Sequence, residues 1–349
     1  MTDCDKDVRA YHDERVRLTE DQKKKLRDRR DANRDRLRRG LKKNGDPAPV
    51  KSVIQGSYAM GTVIQEPKSA YDIDDGVVFT AKSLIGPKGA SKTALDARKM
   101  VRNAVNDGSF KTDPEIKANC VRVYYDDGPH VDIPVYRSTT DWSGNDKYEL
   151  ASVDWKESDP EGANRWFRVW VTNKTAAGMV HSRELIRLLK AICKNRPSYT
   201  TLPSGFVLTV LVQECYQSSD GRLDIELREL IEAIHRRLEN NLMVAHPVVF
   251  GEWLIDQDTK HRNEKLRELL GRLVETLVAL DRPNCTRSET LKAWKKVFST
   301  DFFDQRIADA EEEERRRTAV GVATPAVISA PKSYGYSEES CHDRRNRQP

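Results

Sequence analysis

QGSYAMGTVIQEPKSAYDIDDGVVF, residues Gln55 to Phe79, is the stretch that decides how this chain reads. It sets a Gly-Ser pair ahead of three aspartates, Asp72, Asp74 and Asp75, which run directly into Val77-Val78-Phe79. Carboxylates this close repel one another, and burying them is costly unless something neutralises the charge. A divalent cation would do so. On a strand, residues two apart share a face, so Asp72 and Asp74 point together and Asp75 points the other way. A third carboxylate, Asp132, sits between Val131 and Ile133 in HVDIPVY, residues 130–136, another strand-like run. Carboxylates from two strands that converge make an oxygen-rich site suited to Mg²⁺. Two such ions a few ångström apart would help deprotonate an attacking hydroxyl and hold a leaving pyrophosphate in line. Gly56 and Ser57 complete the pattern, because glycine lets the backbone approach a phosphate while the serine hydroxyl and the following N–H groups donate to it.

Before this stretch, NGDPAP at residues 44–49 signals a loop, and the segment ahead of it is densely charged. Residues 1–50 hold 16 Lys and Arg against 11 Asp and Glu, which accounts for the whole net charge of +5. DQKKKLRDRRDANRDRLRRGLKK, residues 21–43, is compatible with a helix whose few apolar positions are Leu26, Leu37 and Leu41. Its plain reading is a solvated helix laid along the body, and the other is a basic surface for nucleic acid or a partner. After the aspartates, SKTALDARKMVRNAVNDG has helical spacing, and NCVRVYY and HVDIPVY read as strands joined across the turn DDGP. From about Asp159 the pattern turns helical in HSRELIRLLKAICKNR, FVLTVLVQECYQ, IELRELIEAIHRRLENNL and EKLRELLGRLVETLVAL. The expectation is an α+β chain of two lobes. Residues 1–49 form a charged helix bracing both lobes, 50–158 a mixed-sheet lobe, 159–310 an all-helical lobe and 311–349 a flexible tail, whose part beyond about residue 318 should be removable without loss of catalysis.

Taken together, IQGSYAMGTVIQEP, YDIDDGVVF, HVDIPVY, ESDPEGANRWF, LIRLLKAICKN and LPSGFVL, in that order over residues 50–215, resemble the bacterial cGAS/DncV-like nucleotidyltransferases of the DNA polymerase beta-like superfamily. The resemblance implies a two-lobed nucleotidyltransferase fold with a catalytic palm lobe, a helical lobe and the active-site cleft between them. It implies that Gly56 and Ser57 hold the donor triphosphate and that Asp72, Asp74 and Asp132 are catalytic and bind two Mg²⁺ ions, with Mn²⁺ able to substitute. Lys190 matches a lysine directed at donor phosphates, and Ser204 falls at a serine position of the same pocket, with Gly205 following where a relative could have a second serine. Arg122 is placed at a base or phosphate, and Tyr199, in a loop expected to face the cleft, is a candidate to stack on a base.

The implied activity joins ribonucleoside triphosphates, ATP and GTP foremost, into a cyclic di- or trinucleotide such as cGAMP with release of pyrophosphate, as in CBASS-type anti-phage signalling. A regulatory protein partner is compatible with that role, and a downstream effector would respond to the product rather than bind the enzyme. No obligatory nucleic acid and no membrane are expected. One alternative keeps the metal site and transfers a nucleotide to an RNA 3′ end or a protein hydroxyl; another is a nucleotide-binding pseudoenzyme.

The remaining residues narrow the classes further. Arg183, Arg187, Lys190 and Lys194 form a basic stripe at helical spacing, and for Arg183 and Lys194 the expectation is a solvated face. His130 reads as a turn residue, and no HxH or HExxH ligand pair occurs. The six cysteines are scattered singly, so neither a disulfide framework nor a zinc ribbon is indicated. Without a membrane-length apolar run or a secretion-type N-terminus, a cytoplasmic location is expected.

Overall fold

The computed structural model describes residues 2–319 except 66–70, 87–88, 141–142, 145 and 218–220. An eight-stranded mixed sheet organises the first half of the chain. Its axis is β2 (Asp72–Thr80), which pairs antiparallel with β1 (Lys51–Gln55). It also runs parallel to β5 (His130–Ile133) and β6 (Val135–Thr140), which continue one another past Pro134 in a single register. The sheet is extended by β3 (Glu115–Ile116) and β4 (Val121–Tyr124) on the β5 side, and by β7 (Asp146–Ala151) and β8 (Trp155–Glu157) on the β6 side. The expected pairing of NCVRVYY with HVDIPVY is the antiparallel β4–β5 ladder.

Alternation along β2 separates two environments. Ile73, Val77 and Phe79 join Val121, Val123, Val131 and Ile133 in one core, roofed by α4 (Ala94–Val105) and by α2 (Glu20–Asn44). Asp75 lies on that covered face, where Arg34 of α2 grips both its oxygens at 2.7 and 2.5 Å. This answers why a third aspartate stands in the row: it ties the charged helix to the sheet. Other arginines of α2 pair with loop aspartates, Arg29 with Asp127 between β4 and β5 at 2.6 Å and Arg36 with Asp107 just past α4 at 3.2 Å. At Gly40 a Cβ would come within 1.9 Å of the Ala104 carbonyl oxygen, so only glycine allows α2 and α4 to approach this closely. The helix is capped by a Thr19–Gln22 box at its start and a left-handed Gly45 at its end.

The second core is built by α5 (Pro160–Ala176), α6 (Ser182–Lys194), α7 (Gly205–Cys215), α8 (Leu223–Asn240), α9 (His261–Val278) and α10 (Arg287–Phe298). The first helix, α1 (Asp5–Tyr11), belongs to this core, with Tyr11 against Phe298 at 4.4 Å between ring centroids. Buried polar groups fix it there. His181 faces Glu226 through Nδ1 at 2.8 Å and Arg9 through Nε2 at 3.0 Å, and the Tyr216 hydroxyl donates to Glu226 at 2.8 Å.

Two expectations need revision. The second lobe is not all helical, because β9 (Val244–Ala245) and β10 (Trp253–Ile255) form a two-stranded ribbon within it. The tail expected from residue 311 begins as helix, since α11 (Asp304–Ala319) runs across that boundary. The rest of the tail, residues 320–349, lies outside the described residues. Among the described residues no helix is long and apolar enough to cross a membrane.

Candidate active site

The uncovered face of β2 presents Asp72 and Asp74, and the sheet register carries the pattern to the next strand. Asp72 stands opposite His130 and Asp74 opposite Asp132, while Arg122 of β4 stands opposite Asp132 on its other side. All five side chains project from the same face, because Val121, Val123, Val131, Ile133 and Ile73 take the other. A five-residue helix, α3 (Gly56–Met60), begins where β1 ends and brings Gly56 over Asp74. Gly56 has φ 65°, and a Cβ there would stand 2.2 Å from Asp74 Oδ2, so both conformation and space demand glycine.

A cavity of about 610 Å³ opens between this face and the helical core. Gly56, Ser57, Asp72 and Asp74 line its sheet side, and Lys190, Lys194, Tyr199 and Ser204 line its helical side. Ser204 is the N-cap of α7, its hydroxyl accepting from Val207 N–H at 3.4 Å. At Gly205, which follows, a Cβ would stand 3.1 Å from Lys190 Cε, a tight approach to the end of that side chain. Tyr199, in a single helical turn, is half exposed at the cavity mouth. Lys190 Nζ is buried and donates to the Thr62 carbonyl at 3.2 Å and hydroxyl at 3.0 Å. Burial, reinforced by Lys194, pushes its pKa down to about 7.

One of the expected site residues is placed differently. Arg122 does not line the cavity; its guanidinium donates to both oxygens of Asp132 at 2.8 and 2.7 Å, a bidentate pair favoured by planar geometry. Asp132 is itself buried, with a carboxylate oxygen within 4.8 Å of the ligand atoms of Asp72 and His130. The basic stripe is also not solvated at Arg183, which donates to the Met60 carbonyl at 3.0 Å. His130 was missed: it opens β5 with Nε2 3.6 Å from Asp72 Oδ2, and that nitrogen is buried without a hydrogen-bond partner among the described residues. Its position two residues before Asp132 already places it on the same strand face, a signal the turn reading overlooked.

The electrostatics favour a cation. Burial and the neighbouring Asp72 and Asp132 charges hold the Asp74 carboxyl well above the usual carboxylate range. Burial also works to raise Asp72, but His130, Lys194 and Arg122 outweigh it and hold Asp72 low. Asp72, His130 and Asp132 each offer a ligand atom, and these atoms all lie within 4.8 Å of one another. Two carboxylates and an imidazole, with Asp74 adjoining, form a donor set that fits a divalent ion.

Residues 50–136 match the family model described as cyclic GMP-AMP synthase DncV-like, nucleotidyltransferase domain. The structure is similar to that of Vibrio cholerae DncV in its apo form, with 18% sequence identity, a TM-score of 0.66, and 84% of this chain and 93% of that one covered. The GTP-bound form of the Vibrio cholerae protein gives a TM-score of 0.67 at 18% identity, covering 84% of this chain and 93% of that one. Its complex with the linear intermediate 5′ pppA(3′,5′)pG, in which the protein is described as a cyclic AMP-GMP synthase, gives 0.64 at 17%, covering 84% and 94%. At these identities the likeness establishes the two-lobed nucleotidyltransferase fold.

Proposed function

With residues 50–136 a DncV-like nucleotidyltransferase domain, we propose that this chain is a nucleotide second-messenger synthase that joins ATP and GTP into a mixed purine cyclic dinucleotide. One observation carries the reading: Asp72 and Asp74 line a cavity beneath the Gly56–Ser57 turn, with Asp132 one strand away in register.

The Gly56 and Ser57 backbone and the Ser57 hydroxyl would hold donor phosphates, and Lys190 and Lys194 would supply positive charge from the opposite wall. Asp72, Asp74 and Asp132, with His130 beside them, would hold divalent cations, Mg²⁺ or Mn²⁺. Such ions, when bound, lower the pKa of the attacking hydroxyl and neutralise charge on the leaving group. The acceptor ribose oxygen forms a bond to the donor α-phosphorus as the bond from that phosphorus to the β-phosphate bridge breaks. The hydroxyl proton passes to an Asp132 carboxylate oxygen, and pyrophosphate leaves. A second round with the roles exchanged closes the ring. Arg122 keeps Asp132 aimed at the metal face in the interim. Tyr199, at the mouth, would stack on a base.

Residues 1–49 would brace the two lobes, 50–158 would be the palm and 159–310 the helical lobe. The role in anti-phage signalling is read from the family alone. Transfer to an RNA 3′ end draws its support from the basic helix α2, yet Arg29, Arg34 and Arg36 are already engaged with aspartates.

The test is to incubate the purified chain with four ribonucleoside triphosphates and Mg²⁺ or Mn²⁺, measure pyrophosphate, treat with phosphatase and analyse by mass spectrometry. A phosphatase-resistant cyclic dinucleotide is expected. Its absence, or extension of an added RNA instead, would overturn the reading.

A further inference from the structure

The cations of α6 meet the site from an unexpected direction. Arg183 Nε donates to the Met60 carbonyl at 3.0 Å, Arg187 Nε and Nη2 donate to the Gly61 carbonyl at 3.1 and 2.6 Å, and Lys190 takes the Thr62 carbonyl at 3.2 Å. Three cations spaced by four and three residues along one helix thus hold three consecutive carbonyls at the far end of α3. Gly61, at φ 67°, turns the chain there, and the Thr62 N–H returns to the Ser57 carbonyl at 2.8 Å.

A helix of five residues has no cooperative stability of its own, so its position is set by whatever grips its ends. Its last carbonyls lack intrahelical partners and carry partial negative charge, which charged donors satisfy strongly. Arg187 is itself anchored, with Nη1 3.0 Å from His12 Nε2, while His12 Nδ1 lies 2.8 Å from Asp13 Oδ1. The Arg183 guanidinium rests over the Phe167 ring at 5.6 Å. Both arginines are therefore fixed to the helical core at one end and to the turn bearing Gly56 and Ser57 at the other.

We infer that Arg183 and Arg187 are positioning residues that set the Gly56–Ser57 phosphate cradle over Asp72 and Asp74 by holding the opposite end of α3. The inference rests on the function proposed above. Neither arginine touches the reacting atoms. Each acts through the backbone of residues 56–62, so the packing of the helical lobe is transmitted to the donor phosphates. An arginine fork supplies directed donors that a lysine ammonium does not reproduce.

The test compares Arg183→Met, Arg187→Met and Arg187→Lys with the wild-type full chain. The readouts are thermal melting, binding of a nonhydrolysable ATP analogue by calorimetry and the rate of pyrophosphate release. A cradle misplaced by about 1 Å costs on the order of 100-fold in rate, so kcat in each Met variant should fall by roughly 10- to 100-fold. The analogue's Kd should change much less than kcat, and the Lys variant should fall between Met and wild type. A kcat within twofold of wild type in a variant that melts cooperatively overturns the inference. If the Met variants do not fold, Arg187→Lys decides it: reduced kcat at an unchanged melting temperature supports positioning, and wild-type kcat refutes it. A wild-type chain that binds no triphosphate and releases no pyrophosphate overturns the functional reading itself, a result distinct from variants that match an active wild type.

Discussion

Replacing Gly56 with alanine separates two demands made at one residue. The backbone there has φ 65°, which costs an L-residue about 1–2 kcal/mol. Gly45, at the end of α2, has φ 71° and nothing within 4 Å of where an alanine methyl would stand, so Gly45→Ala carries the backbone cost alone. At Gly56 the new Cβ would meet Asp74 Oδ2 at 2.2 Å and Cγ at 3.1 Å. Relief requires the carboxylate to swing away by about 1 Å, a displacement that costs on the order of 100-fold in rate when it falls on a reacting group. The two variants should therefore lose similar stability, a few degrees in Tm at about 2–4 °C per kcal/mol. Only Gly56→Ala should lose pyrophosphate release, by roughly 100-fold. Paired melting curves and initial rates decide the matter. Near-wild-type turnover in Gly56→Ala, or equal losses in both variants, would refute the argument that Gly56 exists to bring the turn against Asp74.

Changing Asp72 and Asp74 together to asparagine should abolish incorporation of labelled triphosphate while leaving Tm equal or higher, because crowded carboxylate charge is removed; retained synthesis would contradict the site. The Lys190 pKa of about 7 lies below the ordinary 10.5. Between those values the unfolded chain holds a proton that the folded chain has released, so Lys190 makes stability rise with pH across that window. Lys190→Met should flatten this part of the stability curve, measured as the denaturation midpoint against pH. Triphosphate binding to wild type should take up a proton near pH 8, visible as a buffer-dependent binding enthalpy. Arg34→Met leaves Asp75 buried without its partner and should cost about 3 kcal/mol, read by chemical denaturation, with the folded variant retaining turnover; an unchanged midpoint would mean Asp75 is neutralised some other way.

The aspartate row was legible because alternation is written into a strand: Asp72 and Asp74 were placed on one face and Asp75 on the other from spacing alone. Asp75's partner was not, since Arg34 is one of many arginines on a helix whose rotation against the sheet is set by Leu26, Leu37 and Leu41. The Arg122–Asp132 pair depends on hairpin register, which a turn such as DDGP leaves open. The basic stripe of α6 misled because its acceptors are carbonyls, and a backbone carbonyl leaves no mark in the residue string. The β9–β10 ribbon was invisible at two and three residues per strand, too short for alternation to register.

The placement of α1 among the last helices has a consequence for the nascent chain. Val8 and Tyr11 are buried against a core that includes Leu291, Phe298 and Phe303, so these early residues cannot reach their native partners until the segment that carries α10 has been synthesised. At about 5–20 residues per second, they wait on the order of 15–60 s. During that interval the sheet, α2 and the helices that carry Lys190 and Ser204 can all assemble, because every residue of the cavity wall precedes α10. The contact that buries α1 is thus a late step, made after both walls of the cavity have been synthesised.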